Sequence, residues 1–167
     1  MTPAELLKDA FGRIVESGTA VVDGLSEDQL ASRPAPGTNS IAWLVWHLAR
    51  VQDDHVAEVA GLEQVWTAQG FVDRFGLPFE RDATGYGQSA DEVGQVRASA
   101  DLLAAYLRAV HEQTVAYLDT VSADDLDRVV DEQWDPPVTL GVRLVSVVDD
   151  DTQHVGQAAY VRGLLPS

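Results

Sequence analysis

The sequence predicts an all-α protein, a four-helix bundle with short extra helices in its connections, on two kinds of signal. Capping patterns mark several helix starts, and apolar residues recur at helical spacing along four long segments. Sustained strand alternation and internal repeats are both absent. The length of 167 residues fits one domain spanning 1–167. An apolar content of 46% against 23% charged residues is a globular balance.

Thr2-Pro3-Ala4-Glu5 opens the first helix, near 3–23, with a threonine cap, proline at the first helical position and glutamate three residues after the cap. Leu6, Leu7, Phe11, Ile14, Val15, Val21 and Val22 follow at helical spacing. Ser26 to Gln29 repeats the capping pattern and starts a short helix that stops before Pro34, and two prolines and a glycine make 33–39 a loop. The second long helix, near 40–60, presents Ile41, Leu44, Leu48, Val51, His55, Val59 and Leu62 as one stripe. Residues 61–88 are irregular, broken by Gly70, Gly76, Pro78, Gly85 and Gly87, with short helical pieces predicted at 64–68 and 72–75. A connection this long is usually functional or packs on itself. Ser89 to Glu92 begins a third helix, near 90–120 with an interruption at Ser99, whose Leu103, Leu107, Val110, Thr114, Tyr117 and Leu118 face inward. After a turn at 122–125, the paired prolines keep 133–138 extended, and Thr139 caps the last helix, 140–164.

Composition narrows the function classes. Twenty-seven acidic against eleven basic residues leave a net charge of −16. No basic footprint exists for nucleic acid, and anionic membranes would repel the chain. The longest apolar runs are six residues, as at 41–46, against the roughly 20 that span a bilayer. The N-terminal stretch lacks the pattern of a secretory signal, so a soluble cytoplasmic protein is expected. With no cysteine, thiolate metal ligands and a cysteine nucleophile are excluded, and any thiol must come from a co-substrate.

Metal ligands must therefore be histidines and carboxylates. Asp150 and His154 are four apart on the last helix, and a histidine from a facing helix would complete a site of the kind that bundles build. Two nitrogens and one oxygen suit zinc, nickel or ferrous iron. Angular position leaves the ligands open. Asp151 falls near the centre of the stripe formed by Leu140, Leu144, Val147, Val148, Val155, Ala158 and Leu165, with Asp150 and His154 at its edge. His55 sits mid-stripe on the second helix and His47 at the edge, two turns or roughly 12 Å apart, too far to share an ion. Pattern alone thus nominates His55 and Asp151 as strongly as His47 and Asp150.

Other residues carry a functional and a bland reading. His111 is a fourth ligand or a hydrogen-bonded histidine of core or surface. Trp43, Trp46, Trp66 and Trp134 line a pocket or fill the core. Arg162 binds a substrate carboxylate or pairs with an acidic neighbour. The glycines at 85–87 follow no strand, so no phosphate loop is implied, and Ser40 and Ser146 lack a nucleophile-elbow context. Trp66, Phe71, Phe75, Leu77 and Phe79 crowd the irregular segment and predict an exposed aromatic patch, hence a homodimer or a pocket lid.

The segments SIAWLVWHLARVQDD (40–54) and HVGQAAYVRGL (154–164) resemble the two signature regions of the DinB-like superfamily of YfiT-like metalloenzymes, in particular an actinobacterial branch that includes mycothiol-dependent enzymes. The resemblance implies a four-helix bundle, a homodimer and a divalent-metal site, with zinc or nickel held by His47, Asp150 and His154. In the family a histidine follows an aromatic-rich stretch, here His47. His154-Val155-Gly156-Gln157 matches the last-helix histidine of the family and the three positions after it. Asp150 stands where the family usually has histidine or glutamate, and is a methylene shorter than glutamate. The implied activity is metal-dependent transfer or isomerisation, with a small thiol such as mycothiol acting on an electrophile. The alternative is a non-catalytic metal- or small-ligand-binding bundle of stress-related role.

Overall fold

The computed structural model describes residues 1–165; the last two of the predicted domain lie outside the described residues. Helix α1 (Pro3–Val22) is followed by α2 (Glu27–Ala31), α3 (Ile41–Ala60), α4 (Val65–Ala68), α5 (Phe71–Phe75), α6 (Ala90–Val93), α7 (Ala100–Leu118) and α8 (Leu140–Gly163). A 3-10 turn at Asp124–Asp127 and a two-stranded antiparallel ribbon, β1 (Val129–Asp131) with β2 (Val138–Thr139), join α7 to α8. The four long helices, α1, α3, α7 and α8, form the bundle, with α3 packed most extensively on α8 and α1 on α7.

The predicted caps operate as hydrogen bonds. Thr2, Ser26 and Ser89 each accept from the backbone N–H three residues on, and Glu5, Gln29 and Glu92 reach back to the cap. Ser40, Ser99 and Thr139 cap α3, α7 and α8. Gly61 ends α3 in the left-handed conformation, at φ 66°. At Gly18 a β-carbon would come within 2.5 Å of Leu107 Cδ2, so glycine allows the close approach of α1 to α7.

Four expectations need correction. The third long helix starts at Ala100 rather than 90; after the single turn of α6 the chain crosses the core surface non-helically, burying Val96 and Ala98, before Ser99 restarts it. The connection before α8 carries a short ribbon where no strand was expected. On α3 no stripe exists in the first half, because every residue from 41 to 50 is buried, while Leu62 at the predicted stripe's end is exposed. The predicted aromatic patch is not exposed: Trp66, Phe71 and Phe75 are buried, and Leu77 and Phe79 pack against the core. Trp66, Phe71 and Phe75 form an aromatic cluster with Tyr106, with ring centroids 5.0–5.8 Å from it. The crowding that predicted a dimer is thus relieved inside the chain. Trp43 and Trp46 are also core, and Trp134 is exposed.

Burial of every residue of α3 from 41 to 50, and of 52 and 53 after them, traps charged groups. Arg50 and Asp53 have fully buried side chains, 3.7 Å apart. Asp53 accepts from the N–H groups of Val65 and Trp66, the first two of α4, and from the Tyr106 hydroxyl, each at 2.8 Å. It therefore caps a helix that has no cap of its own. Arg50 donates to Gln64, Tyr106 and the carbonyls of Asp82 and Ala83. These bonds stitch the 61–88 connection onto the bundle.

Arg162 has a structural partner rather than an acidic one. Its guanidinium donates to the carbonyls of Ala20, Val21 and Asp23 at 2.8–3.0 Å, closing the C-terminal end of α1, whose own last turn holds no basic residue. Arg162→Met, which keeps the stem and removes the donors, is expected to destabilise the protein by about 1–2 kcal/mol after discounting for solvent competition. A urea-unfolding midpoint unchanged from wild type would return Arg162 to the substrate-binding reading.

Candidate metal centre

His47, from the buried half of α3, faces Asp150 and His154, which sit one turn apart on α8. One ligand atom from each of these three lies within 4.8 Å of the others. The imidazoles meet edge to face with centroids 4.8 Å apart. Trp43 stacks on His47 at 4.4 Å and lies 6.1 Å from His154, walling one side of the group with apolar surface.

Hydrogen bonds assign the ring nitrogens. His47 Nδ1 is 2.5 Å from the Thr84 carbonyl and His154 Nδ1 is 2.7 Å from the Asp150 carbonyl. A carbonyl only accepts, so each Nδ1 carries the proton and donates, leaving both Nε2 lone pairs free. Burial, first, and the neighbouring His154 lower the His47 pKa against the opposing Thr84 bond and the Asp150 charge, favouring the neutral ring that ligates metals. Asp150 Oδ2 is buried without a hydrogen-bond partner, 3.4 Å from His154 Nδ1. Two oriented imidazoles and an orphaned carboxylate oxygen are a donor set with an unmet electrostatic need, and it fits a divalent cation.

The residues that pattern could not separate lie apart. His55 is half-buried and accepts from Arg143 through Nδ1 at 2.8 Å, beside Glu58 and Asp131, which also pair with Arg143. Burial and then Arg143 lower its pKa. His111 is half-buried outside the group, and burial lowers its pKa. Asp151 is fully buried with both carboxylate oxygens unpartnered, and burial, aided by Asp150, raises its pKa well above the ordinary value.

The contribution of the 61–88 connection escaped sequence reading. Thr84 supplies the carbonyl on His47, and Gln88 accepts from the Trp43 indole at 2.8 Å. Gly85, at φ 94°, lies so close that a β-carbon would come within 2.7 Å of His47 Nδ1 and 2.9 Å of Trp46. The glycines at 85–87 were the available signal. Their role is close approach and a left-handed turn.

Among comparisons with known proteins, the family described as mycothiol-S-transferase matches residues 6–166. A crystal structure of a conserved protein from Enterococcus faecalis is 32% identical, superimposes with a TM-score of 0.91, and aligns over 98% of this chain and 97% of that one. No curated protein matches.

Asp151 generates a pH prediction. Above about pH 4 the unfolded chain releases this proton while the folded chain retains it, so the group's contribution to stability falls as pH rises toward its raised folded pKa. In metal-free protein, the stability of wild type relative to Asp151→Asn should therefore improve between pH 7 and pH 5, by at most about 1.4 kcal/mol per pH unit. Chemical denaturation at the two pH values measures it, and a difference that does not change with pH contradicts a buried neutral Asp151.

Proposed function

Because the chain belongs to the mycothiol-S-transferase family, we propose that it is a metal-dependent transferase or isomerase that takes a small thiol as co-substrate. The observation that carries this reading is the His47–Asp150–His154 group, with both imidazoles turned by carbonyl bonds to leave Nε2 free. In this reading the three residues hold zinc or nickel. The ion, when bound, supplies the Lewis acidity that keeps a thiol ionised at neutral pH. The neutral imidazoles and the single carboxylate keep the donor set's charge low, and Trp43 excludes water from one side.

The chain has no cysteine, so the sulfur nucleophile comes from the co-substrate, with mycothiol the family's thiol. Beside the connection that touches His47, a cleft of about 370 Å³ is lined by Phe79, Glu80, Thr84, Gly85, Tyr86 and Gln88, and supports a role for this segment in holding the electrophile. A cytoplasmic location follows from the use of a thiol cofactor; among the described residues no helix is long and apolar enough to cross a membrane. Homodimerisation rests on the family resemblance and is read by light scattering at micromolar concentration. The second reading, a binding bundle without catalysis, draws on Asp150, whose reach is a methylene shorter than the glutamate usual in the family.

Elemental analysis of protein purified without chelator tests the centre: near-stoichiometric zinc or nickel is expected in wild type, reduced at least tenfold in His47→Ala and His154→Ala. Metal that stays stoichiometric in both variants excludes these ligands. Thiol consumption with generic electrophiles, comparing mycothiol, bacillithiol and glutathione with and without added Zn²⁺ or Ni²⁺, tests catalysis. Metal-dependent turnover lost in His154→Ala is the expected result; tight metal binding with no turnover on any thiol favours the binding bundle.

A further inference from the structure

We propose that Arg50 is a positioning residue for the metal centre, holding a backbone strap, residues 82–85, that sets the tautomer and orientation of His47. The inference rests on the metal-binding reading above. Arg50 and His47 are three residues apart on α3 and so lie on neighbouring turns of one face. The Arg50 guanidinium donates to the carbonyls of Ala83, at 2.9 Å, and Asp82, at 3.3 Å. The next carbonyl along the chain, that of Thr84, receives the His47 Nδ1 proton. Three successive carbonyls are therefore read by two side chains of one helix, and Arg50 fixes two of them.

Asp53 alone does not account for a buried arginine. It already accepts three hydrogen bonds at 2.8 Å, and Arg50 stands 3.7 Å away, whereas its contacts to the strap and to Gln64 are shorter. A planar fork with donors in fixed directions suits adjacent carbonyls in a way that the point charge of lysine does not. Gly85 continues the strap at positive φ directly against the His47 ring, where a β-carbon would force it away. A bond to the non-ligating nitrogen orients a metal-binding histidine and raises its basicity, and losing such a partner typically costs 10–100-fold in metal affinity.

The test reads the ring ¹⁵N shifts of His47 and His154 in metal-free protein, with Zn²⁺ affinity measured in parallel. Wild type should show His47 locked with its proton on Nδ1. Arg50→Lys keeps the charge beside Asp53 but loses the fork; it should give a mixed His47 tautomer, an unchanged His154 signature and a 10–100-fold weaker Zn²⁺ site in a folded protein. Gly85→Ala displaces the strap from its other end with Arg50 intact and should do the same, so it answers even where an Arg50 variant fails to fold. Val145→Ala, at an α8 residue that is 61% exposed, should match wild type. A wild-type His47 protonated on Nε2, or an unaltered tautomer and affinity in either folded strap variant, overturns the proposal. Wild-type protein that binds no Zn²⁺ while His47 stays locked overturns the metal reading instead, because the tautomer is read without metal.

Discussion

Arg50 and Asp53 are charged side chains without exposed surface in the buried part of α3, and their need for partners organises the chain around them. An uncompensated buried charge costs several kcal/mol. The compensation comes from the first two amides of α4, the Tyr106 hydroxyl of α7, Gln64 and the carbonyls at 82 and 83. Three regions distant in sequence therefore meet at one ion pair. The irregular 61–88 connection becomes part of the core, its aromatic residues packing where the pair draws the backbone in. Burial pushes the Asp53 pKa up against the opposing pull of these donors and Arg50.

The same burial prepares the His47–Asp150–His154 group. A histidine on an exposed helix face has two interchangeable nitrogens; here the Thr84 carbonyl takes one, and burial favours the neutral ring. His154 is treated alike by the carbonyl of its own helix. In a chain of net charge −16, carboxylates are common and carry little information singly. What distinguishes Asp150 is a buried oxygen without a hydrogen-bond partner beside two oriented imidazoles. Asp151, one residue on, shows the opposite outcome: it points where no donor waits and is driven toward its neutral form.

Legibility followed the range of the interactions. The caps at Thr2, Ser26, Ser89 and Thr139 were legible because a cap involves residues three apart. The stripe on α3 misled because periodicity assumes one wet face, and α3 has none between 41 and 50. For that reason His47 read as an edge residue and His55 as central, the reverse of their burial. The aromatic residues of 61–88 read as a surface patch because nothing local shows that Tyr106 and α4 receive them. Arg162 read as free for a substrate because its partners, the last carbonyls of α1, lie some 140 residues earlier in the chain.

By itself the sequence determined the helical class, the starts of three of the four long helices and the absence of a protein thiol, and through two signature segments it pointed to the family and nominated three candidate ligands. These depend on local hydrogen bonds, composition and short motifs, all present in contiguous residues. Tertiary structure alone decided that the first half of α3 is buried on all sides, that residues 82–85 lie as a strap on His47, and which histidine and which aspartate of each pair meet. Those outcomes depend on packing between segments that bring no mutual signal into their own sequences. A helix face becomes interior or edge only when its neighbours arrive, and a backbone carbonyl, the same on every residue, becomes specific only by where the fold puts it.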